Sequence, residues 1–496
     1  MRLALRQEMQ KIDQQSVSDY GISIEQLMEK AGSLMAERIA ALPGLSSDHR
    51  IGIFCGPGHN GGDGLVVARQ LLKKGFSLTE VWILPSRVSS VAYELNLRRY
   101  QEAGGKVQIL SESTQQQFDF NKFNLLIDAL FGIGLNRALE PALCQFIEKI
   151  NRQSASVIAL DIPTGLDANR GITWGAGLRA VKTLTCGLAK PGFYLQDGPA
   201  LTGSIEILNI GFPPQLVKKI ADSTFLIGRN SAQKLLPLRK STSNKSHFGK
   251  LLLLAGSPGM RGAALLAAEA AARMGVGYVT VSSPSFDVLK KVLPDFLQVE
   301  WKDSGKLDFS KYSAVAIGPG LGTSEGALEL LLKLKTQGIK KVLIDADAIT
   351  VSAQKKLWPL PATWLLTPHA GELSRIIGTS AADIEADRLK AVRWAHQITG
   401  AQILLKGFHS VLCSGERSYI IASGNVALAK AGTGDVLTGF ISSLMAQGLG
   451  TDQAAALGSY IHGRIADVWL SKGGSARSLL ASDLPKLLNY VLRGIE

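Results

Sequence analysis

Along this chain, short apolar runs repeatedly end at a glycine-rich or acidic turn and hand over to a helix-spaced pattern. Ile51-Gly52-Ile53-Phe54-Cys55 leads into Gly56-Pro57-Gly58 and a helical pattern from about Gly62 to Lys74. Leu251–Ala255 is followed by an Ala-rich helical stretch, Gly262–Met274. Further strands are expected at Val81–Leu84, Leu125–Leu130, Val157–Asp161 and Ile205–Leu208, then at Val279–Ser282, Val315–Ile317 and Val342–Asp345. Helices are expected around Val91–Ala103, Pro141–Asn151, Thr433–Gln447, Gln453–Leu470 and Pro485–Leu492. Ser23-Ile24-Glu25-Gln26 is a capping-box pattern opening another, with Leu27, Met28, Ala31, Leu34 and Met35 on one face. Continuous apolar strands alternating with helices make parallel sheets covered on both faces, so the fold class is α/β.

The two series are separated by an irregular middle, and Pro237–Asn244 is polar and linker-like. The boundary falls near residues 225–245, so residues 1–225 and 226–496 are expected to be two domains, in keeping with 496 residues. The chain has 54 Lys and Arg against 41 Asp and Glu, a net charge of +13. That balance could suit nucleic acid, acidic lipid or a phosphorylated small molecule, and since no basic run exceeds a pair or so, an extended nucleic-acid stripe is disfavoured. Cys55, Cys144, Cys186 and Cys413 form no CxxC pair and have apolar neighbours, so buried reduced thiols are expected. There is no signal-peptide pattern near Met1 and no apolar run of membrane-spanning length. A soluble cytoplasmic protein without membrane or nucleic-acid partners is the expectation; a homo-oligomer is left open.

In the first half, Gly56-Pro57-Gly58-His59-Asn60-Gly61-Gly62-Asp63-Gly64 follows a strand and matches the G-x-G-x-x-G dinucleotide pattern. An acid ending the second strand is missing, since Glu80 stands at its start, which disfavours an ordinary nicotinamide dehydrogenase. The run is either a phosphate- or ligand-binding loop or a structural turn. Asp128 and Asp161 each end an apolar strand, so their carboxylates are expected to emerge at the crevice where open α/β sheets bind ligands. Structural capping is the alternative for each. Asn60, Asp128 and Thr164 form an oxygen-rich set suited to a hard cation.

In the second half, Ala431-Gly432-Thr433-Gly434-Asp435-Val436-Leu437-Thr438-Gly439 opens a helix with glycines and an aspartate. Exposed N–H groups there suit an anion, and Asp435 suits removal of a hydroxyl proton during phosphoryl transfer. No G-x-x-x-x-G-K-[ST] occurs, which sets aside a P-loop NTPase. Gly318–Gly322, Asp345–Ala348, Thr367–Glu372 and Lys406-Gly407 end further strands. His369, three residues before Glu372, admits three readings: a metal ligand, a helix-capping residue or a ligand contact.

The first half closely resembles the NAD(P)HX epimerase domain, a Rossmann-like fold also called the YjeF N-terminal domain. The resemblance is carried by Leu27–Gly32, Gly56–Gly64, Asp128–Arg137 and Leu160–Asp167. It implies that Asn60, Gly61, Gly62, Asp63 and Gly64 cradle a hydrated nicotinamide dinucleotide together with Gly132, Ile133, Gly134, Leu135, Asn136, Arg137 and Ala138. It further implies K+ ligation by Asn60, Asp128 and Thr164, with Asp161 as the acid/base and a substrate contact. The second half resembles the ribokinase-like superfamily, and within it the ADP/ATP-dependent NAD(P)HX dehydratases. That resemblance places Ala263, Gly320, His369 and Asp435 on the hydrated cofactor, with Asp435 catalytic. Lys406, Gly407, Phe408, His409, Ser410 and Gly434 would then bind the nucleotide, with Mg2+ accompanying it.

The implied activity is repair of hydrated NADH and NADPH by epimerisation and ADP-dependent dehydration. The alternatives are a ribokinase-like small-molecule kinase with an accessory domain, and a nucleotide-sensing or RNA-binding scaffold.

Overall fold

The computed structural model describes residues 1–284, 295–301 and 306–496. The chain forms two compact units, Arg2–Thr224 and Phe225–Glu496, the latter joined by Met1. Both units are α/β and built mainly on parallel strands.

In the first unit, the sheet order is Val107–Ile109, Thr79–Ile83, Ile51–Cys55, Leu125–Ala129, Ser156–Leu160, Lys182–Cys186, Ser204–Leu208. Every pairing is parallel. The chain runs outward in one direction from Ile51–Cys55 and then resumes in the other at Leu125–Ala129. That reversal is the topological switch point, where open α/β sheets leave a crevice at the strands' C-terminal ends. Ile51–Cys55 and Leu125–Ala129 are buried at every position, as a sheet covered on both faces requires. One face packs on Arg6–Ser18, Ile24–Ala40 and His59–Lys73; the other packs on Pro141–Ile150 and an aromatic group around Phe118, Phe120, Phe123 and Phe146.

In the second unit, parallel strands run in the order Gln402–Leu405, Leu365–Leu366, Val342–Ile344, Ala314–Ile317, Lys250–Leu254, Tyr278–Ser283, Leu297–Glu300. Val411–Ser414 and Arg417–Ile421 extend that sheet antiparallel beyond Gln402–Leu405. The Ala-rich helix Arg261–Met274 buries Ala264, Ala267, Ala268, Ala270 and Ala271, so Thr433–Ala446 packs close beside it. The Ser443 hydroxyl donates to the Ala271 carbonyl at 2.9 Å and helps fix that pairing.

Two expectations need correction. The helix after the first strand spans His59–Lys73, so Asn60 and Gly61 lie in its first turn and not in a preceding loop. Of the four cysteines, Cys55 and Cys413 are buried, whereas Cys144 and Cys186 are only half-buried; all four are free thiols. Strands at Val107–Ile109 and Lys182–Cys186 and the helix Arg6–Ser18 add elements that periodicity did not isolate. The polar make-up of Arg6–Ser18 hides a core-facing row of Met9, Ile12 and Ser16. No helix among the described residues is long and apolar enough to cross a membrane.

Candidate active sites

The first site sits at the switch point. A β-carbon at Gly56 would lie 1.8 Å from the Leu130 carbonyl oxygen, so only glycine lets the two loops pass. Gly61, Gly62 and Gly64 likewise face protein, against Gly56, Met28 and Cys55. They set the close approach of helix and sheet and are buried. No side chain caps His59–Lys73, which leaves first-turn N–H groups directed at the crevice.

Asp128 does not emerge into the crevice: it is fully buried. Its Oδ2 accepts the Thr164 amide at 2.7 Å and its Oδ1 accepts the Thr164 hydroxyl at 2.7 Å. The same hydroxyl accepts the Phe131 amide at 3.1 Å. Burial pushes Asp128 up to about 6 against the pull of the Thr164 hydrogen bonds. A strand-end carboxylate was thus turned back into protein by a loop 36 residues away in sequence. Asn60 is 6% exposed, and both its side-chain oxygen and its nitrogen are buried without a partner. An orphaned amide is costly, and this one lies at the switch-point crevice beside Gly132.

Asp161 follows the strand Ser156–Leu160 with φ +59°, a left-handed conformation that aspartate tolerates better than most residues. Its Oδ1 accepts from the Lys190 ammonium at 2.6 Å, the Thr185 hydroxyl at 3.2 Å and the Cys186 amide at 3.3 Å. Gly132 lies between Asn60 and Asp161: a β-carbon there would sit 3.3 Å from Asn60 Cβ and 3.7 Å from Asp161 Oδ2. Among the residues after Leu125–Ala129, Gly134, Asn136, Arg137 and Ala138 are exposed. Ile133 and Leu135 instead pack against the apolar cores of the unit. Two further acids surround the carboxylate. Burial, followed by Asp161, raises Asp13 to about 7, with Lys190 opposing. Burial, then Asp161 and Asp13, pushes Asp63 well above the carboxylate range.

Asp13 and Lys190 escaped the sequence reading. Lys190 stands alone in Gly187-Leu188-Ala189-Lys190-Pro191-Gly192, and a single charge in so apolar a run was the available signal.

The second site gathers at the N-terminus of Thr433–Ala446. Gly432 caps it at φ +87°, and the Thr433 hydroxyl donates to the Leu428 and Lys430 carbonyls. His462 is buried and held neutral, its pKa lowered to about 4 by burial. Its Nε2 donates to the Thr433 carbonyl at 2.9 Å, which pins the turn. Asp435, in the first helical turn, has no hydrogen-bond partner among the described residues. Burial, then Asp345, raises it to about 7, with Lys406 opposing and Asp347 adding.

Asp345 is the hub. It is 1% exposed and accepts from Lys406 Nζ at 2.7 Å, from the Thr367 hydroxyl at 2.8 Å and from the Thr438 hydroxyl at 2.8 Å. Lys406 also lies 3.8 Å from Glu372. Burial alone would lower Lys406; Asp345 and Glu372 outweigh it and hold the ammonium above its usual value. A β-carbon at Gly434 would be 3.8 Å from Lys406 Nζ, so Lys406 and Gly434 do meet. Beyond them, Gly407–Ser410 wraps over Arg388, whose guanidinium donates to the Leu405, Lys406 and Phe408 carbonyls. The Phe408 and His409 rings stack at 4.0 Å, with Phe408 47% exposed and His409 at φ +48°. Ser410 donates to the Gly407 carbonyl at 3.3 Å.

Gly320 packs on Met260 and Ala263, so the substrate-contact candidates Gly320 and Ala263 lie side by side. His369 caps Ala370–Ile377: its Nδ1 accepts the Gly371 amide at 3.0 Å and the Glu372 amide at 3.3 Å, while Glu372 accepts the His369 amide. Of its three readings the capping role is present, and the side chain, 58% exposed, has its Nε2 3.6 Å from Glu372 Oε1. Arg388, His462 and Thr438 were missed; Thr438 alone left a trace, three residues after Asp435 on the same helix face.

These features define the class: a Rossmann-like domain joined to a ribokinase-like nucleotide-handling domain. Residues 24–192 match the YjeF-related protein N-terminus family, and residues 251–489 match the NAD(P)H-hydrate dehydratase family. The chain is 36% identical to a bifunctional NAD(P)H-hydrate repair enzyme of Moorella thermoacetica, covering 100% of this chain and 97% of the relative. A Thermofilum pendens relative of the same description is 34% identical over 100% and 98%. Among solved structures, the ADP/ATP-dependent NAD(P)H-hydrate dehydratase of Bacillus subtilis, co-crystallised with ATP and Mg2+, is 32% identical with a TM-score of 0.50. It covers 55% of this chain and 99% of that one. The chain belongs to the family of bifunctional NAD(P)H-hydrate repair enzymes.

Proposed function

We propose that residues 1–225 interconvert the R and S epimers of hydrated NADH and NADPH, and that residues 226–496 dehydrate the S epimer using ADP. The observation that carries the reading is a carboxylate with a free oxygen at each site. Asp161 keeps Oδ2 unpartnered among the described residues, and Asp435 keeps its whole carboxylate.

In the first site, Asn60, Gly132 and the first-turn amides of His59–Lys73 receive the dinucleotide, with Asp63, Gly134, Asn136, Arg137 and Ala138 at its border. Epimerisation at C6 breaks the C6–O bond and re-forms it on the other face: Asp161 gives a proton to the departing hydroxyl, its carboxylate stabilises the iminium-like ring, and it takes a proton back as water adds. The orphaned Asn60 carboxamide oxygen, the Asp128 carboxylate and Thr164 are hard oxygen donors, and they fit K+. Bound there, the cation would supply positive charge beside the dinucleotide phosphates.

In the second site, Asp435 takes the proton of the C6 hydroxyl as that oxygen attacks the β-phosphoryl group of ADP, with AMP as the leaving group. Departure of inorganic phosphate from C6, with loss of a proton from C5, then restores the reduced nicotinamide. Gly434 and its helix N-terminus receive the phosphates beside Lys406, and Phe408–Ser410 border the nucleotide. Ala263, Gly320 and the His369 edge border the hydrate. Mg2+ would arrive with the nucleotide, beside the Asp435 carboxylate, and would neutralise phosphoryl charge.

The test is incubation of mixed hydrate epimers with and without ADP and K+, following absorbance of the reduced nicotinamide. Complete recovery supports both activities, and recovery of the S fraction alone means the first site is silent. A stable phosphorylated product in place of inorganic phosphate would make the second unit a small-molecule kinase.

A further inference from the structure

We propose that Lys190 is the positioning residue of the first site: it clamps one oxygen of Asp161 so that the other alone meets the substrate. The proposal rests on the reading of Asp161 as the epimerase acid/base.

Lys190 is fully buried, and its ammonium has three acceptors for its three hydrogens: Asp161 Oδ1 at 2.6 Å, Thr185 Oγ1 at 2.6 Å and the Cys186 carbonyl at 3.4 Å. The Thr185 hydroxyl passes its own hydrogen to the same Asp161 Oδ1 at 3.2 Å, and the Cys186 amide adds a third donor at 3.3 Å. Oδ1 is therefore saturated. Oδ2 receives none of these bonds and is the oxygen that faces Gly132 beside Asn60. A carboxylate free to rotate would exchange its two oxygens, whereas this one presents a single fixed lone-pair set.

The strand Lys182–Cys186 supplies Thr185 and Cys186, and the turn to Pro191–Phe193 brings Lys190 back beneath them. The local fold thus exists around the pair. Of the titratable groups facing Asp161, namely Asp13, Asp63, Cys186 and Lys190, only the lysine is positive. Burying an ammonium is expensive, and an apolar side chain would fill the same space at lower cost. Its presence is explained by what it does to Asp161.

The test uses the full-length chain, mixed hydrate epimers, and excess ADP, so that consumption of the R epimer reports epimerisation. Lys190→Met is expected to lower epimerase kcat about 100-fold or more while KM changes less than about threefold. Its acidic limb should move to higher pH, because ionising the carboxylate without its cation costs more. Lys190→Arg retains the charge and should hold the limb in place with an intermediate kcat. Thr185→Val, which removes one neutral donor, should lose about tenfold or less. Dehydration of the S epimer in the same preparations should be unchanged.

Wild-type kcat and an unmoved limb in Lys190→Met would overturn the clamp. So would equal loss in the Met and Arg variants with no change of pH profile, which marks a structural residue. If Lys190→Met fails to fold, the Arg and Thr185→Val variants carry the test. Asp161→Asn separates the two failures: if it epimerises normally, the reading of Asp161 is wrong, whereas if it is dead and Lys190→Met is not, only the clamp is wrong.

Discussion

Each unit holds a lysine–aspartate pair with one buried partner where its parallel strands end, at 2.6 Å for Lys190–Asp161 and 2.7 Å for Lys406–Asp345. The partner differs in what it is for. In the first unit the paired aspartate is the candidate acid/base itself, so the lysine fixes a working carboxylate. In the second, the lysine is spent on Asp345, which also collects the Thr367 and Thr438 hydroxyls, and the candidate base Asp435 stands beside that pair without a partner. Burial, then repulsion from Asp345, raises Asp435 while Lys406 restrains it. A fixed charge suits a ring that passes through a cationic state. A carboxylate raised to about 7 suits a group that must accept a proton from a hydroxyl near neutral pH.

The sharpest way to break this comparison is to remove each working carboxylate in turn. Asp435→Asn should lower ADP-dependent dehydration by about 10²–10⁴-fold and leave epimerisation within twofold, and Asp161→Asn should do the reverse. Loss of both reactions in a folded chain, measured on the separate epimers, would contradict two independent sites.

Lys406→Met strands Asp345 in the interior and should destabilise the second unit by about 3–5 kcal/mol in denaturant melts. It should also quench dehydration while sparing epimerisation.

The pH dependence sharpens the contrast. Asp435 has an ordinary value of 3.8 and is raised to about 7 when folded. Its stability contribution is therefore complete below about 4 and lost as pH rises through 7. Asp435→Asn should accordingly raise Tm relative to the parent at pH 8 and not at pH 4. The parent's dehydratase kcat/KM should rise along a limb centred near pH 7, where the base form appears.

Thr438→Val removes one hydroxyl from the buried Asp345 and should cost about 1–3 kcal/mol. The smallest effect belongs to His369→Ala, which deletes the cap of Ala370–Ile377 for about 1 kcal/mol. A larger effect on hydrate KM than on stability would mean the half-exposed imidazole also touches substrate.

Much of this was legible in the residues. Ile51–Cys55 was found with its observed limits, and the helix expected from Gly262 begins at Arg261. Long apolar stretches and glycine punctuation are local signals, so local reading finds them. The helix start at His59 was missed because the glycines there look like a loop, and only the backbone's close approach at Gly56 shows why they are needed. Asp128 was expected in the crevice because strand-end position is local, whereas its burial depends on Thr164, which arrives after a further helix and strand.

The sequence alone determined the α/β class and the two-part organisation and singled out Asp161 and Asp435 as the candidate carboxylates, since these follow from periodicity, glycine placement and motif. Tertiary structure decided their states. Lys190 meets Asp161 from 29 residues away and Lys406 meets Asp345 from 61 residues away. Charge state and hydrogen bonding are set by what is brought within a few ångströms in a water-poor interior. Such neighbours are assembled by strand order, which no local pattern encodes.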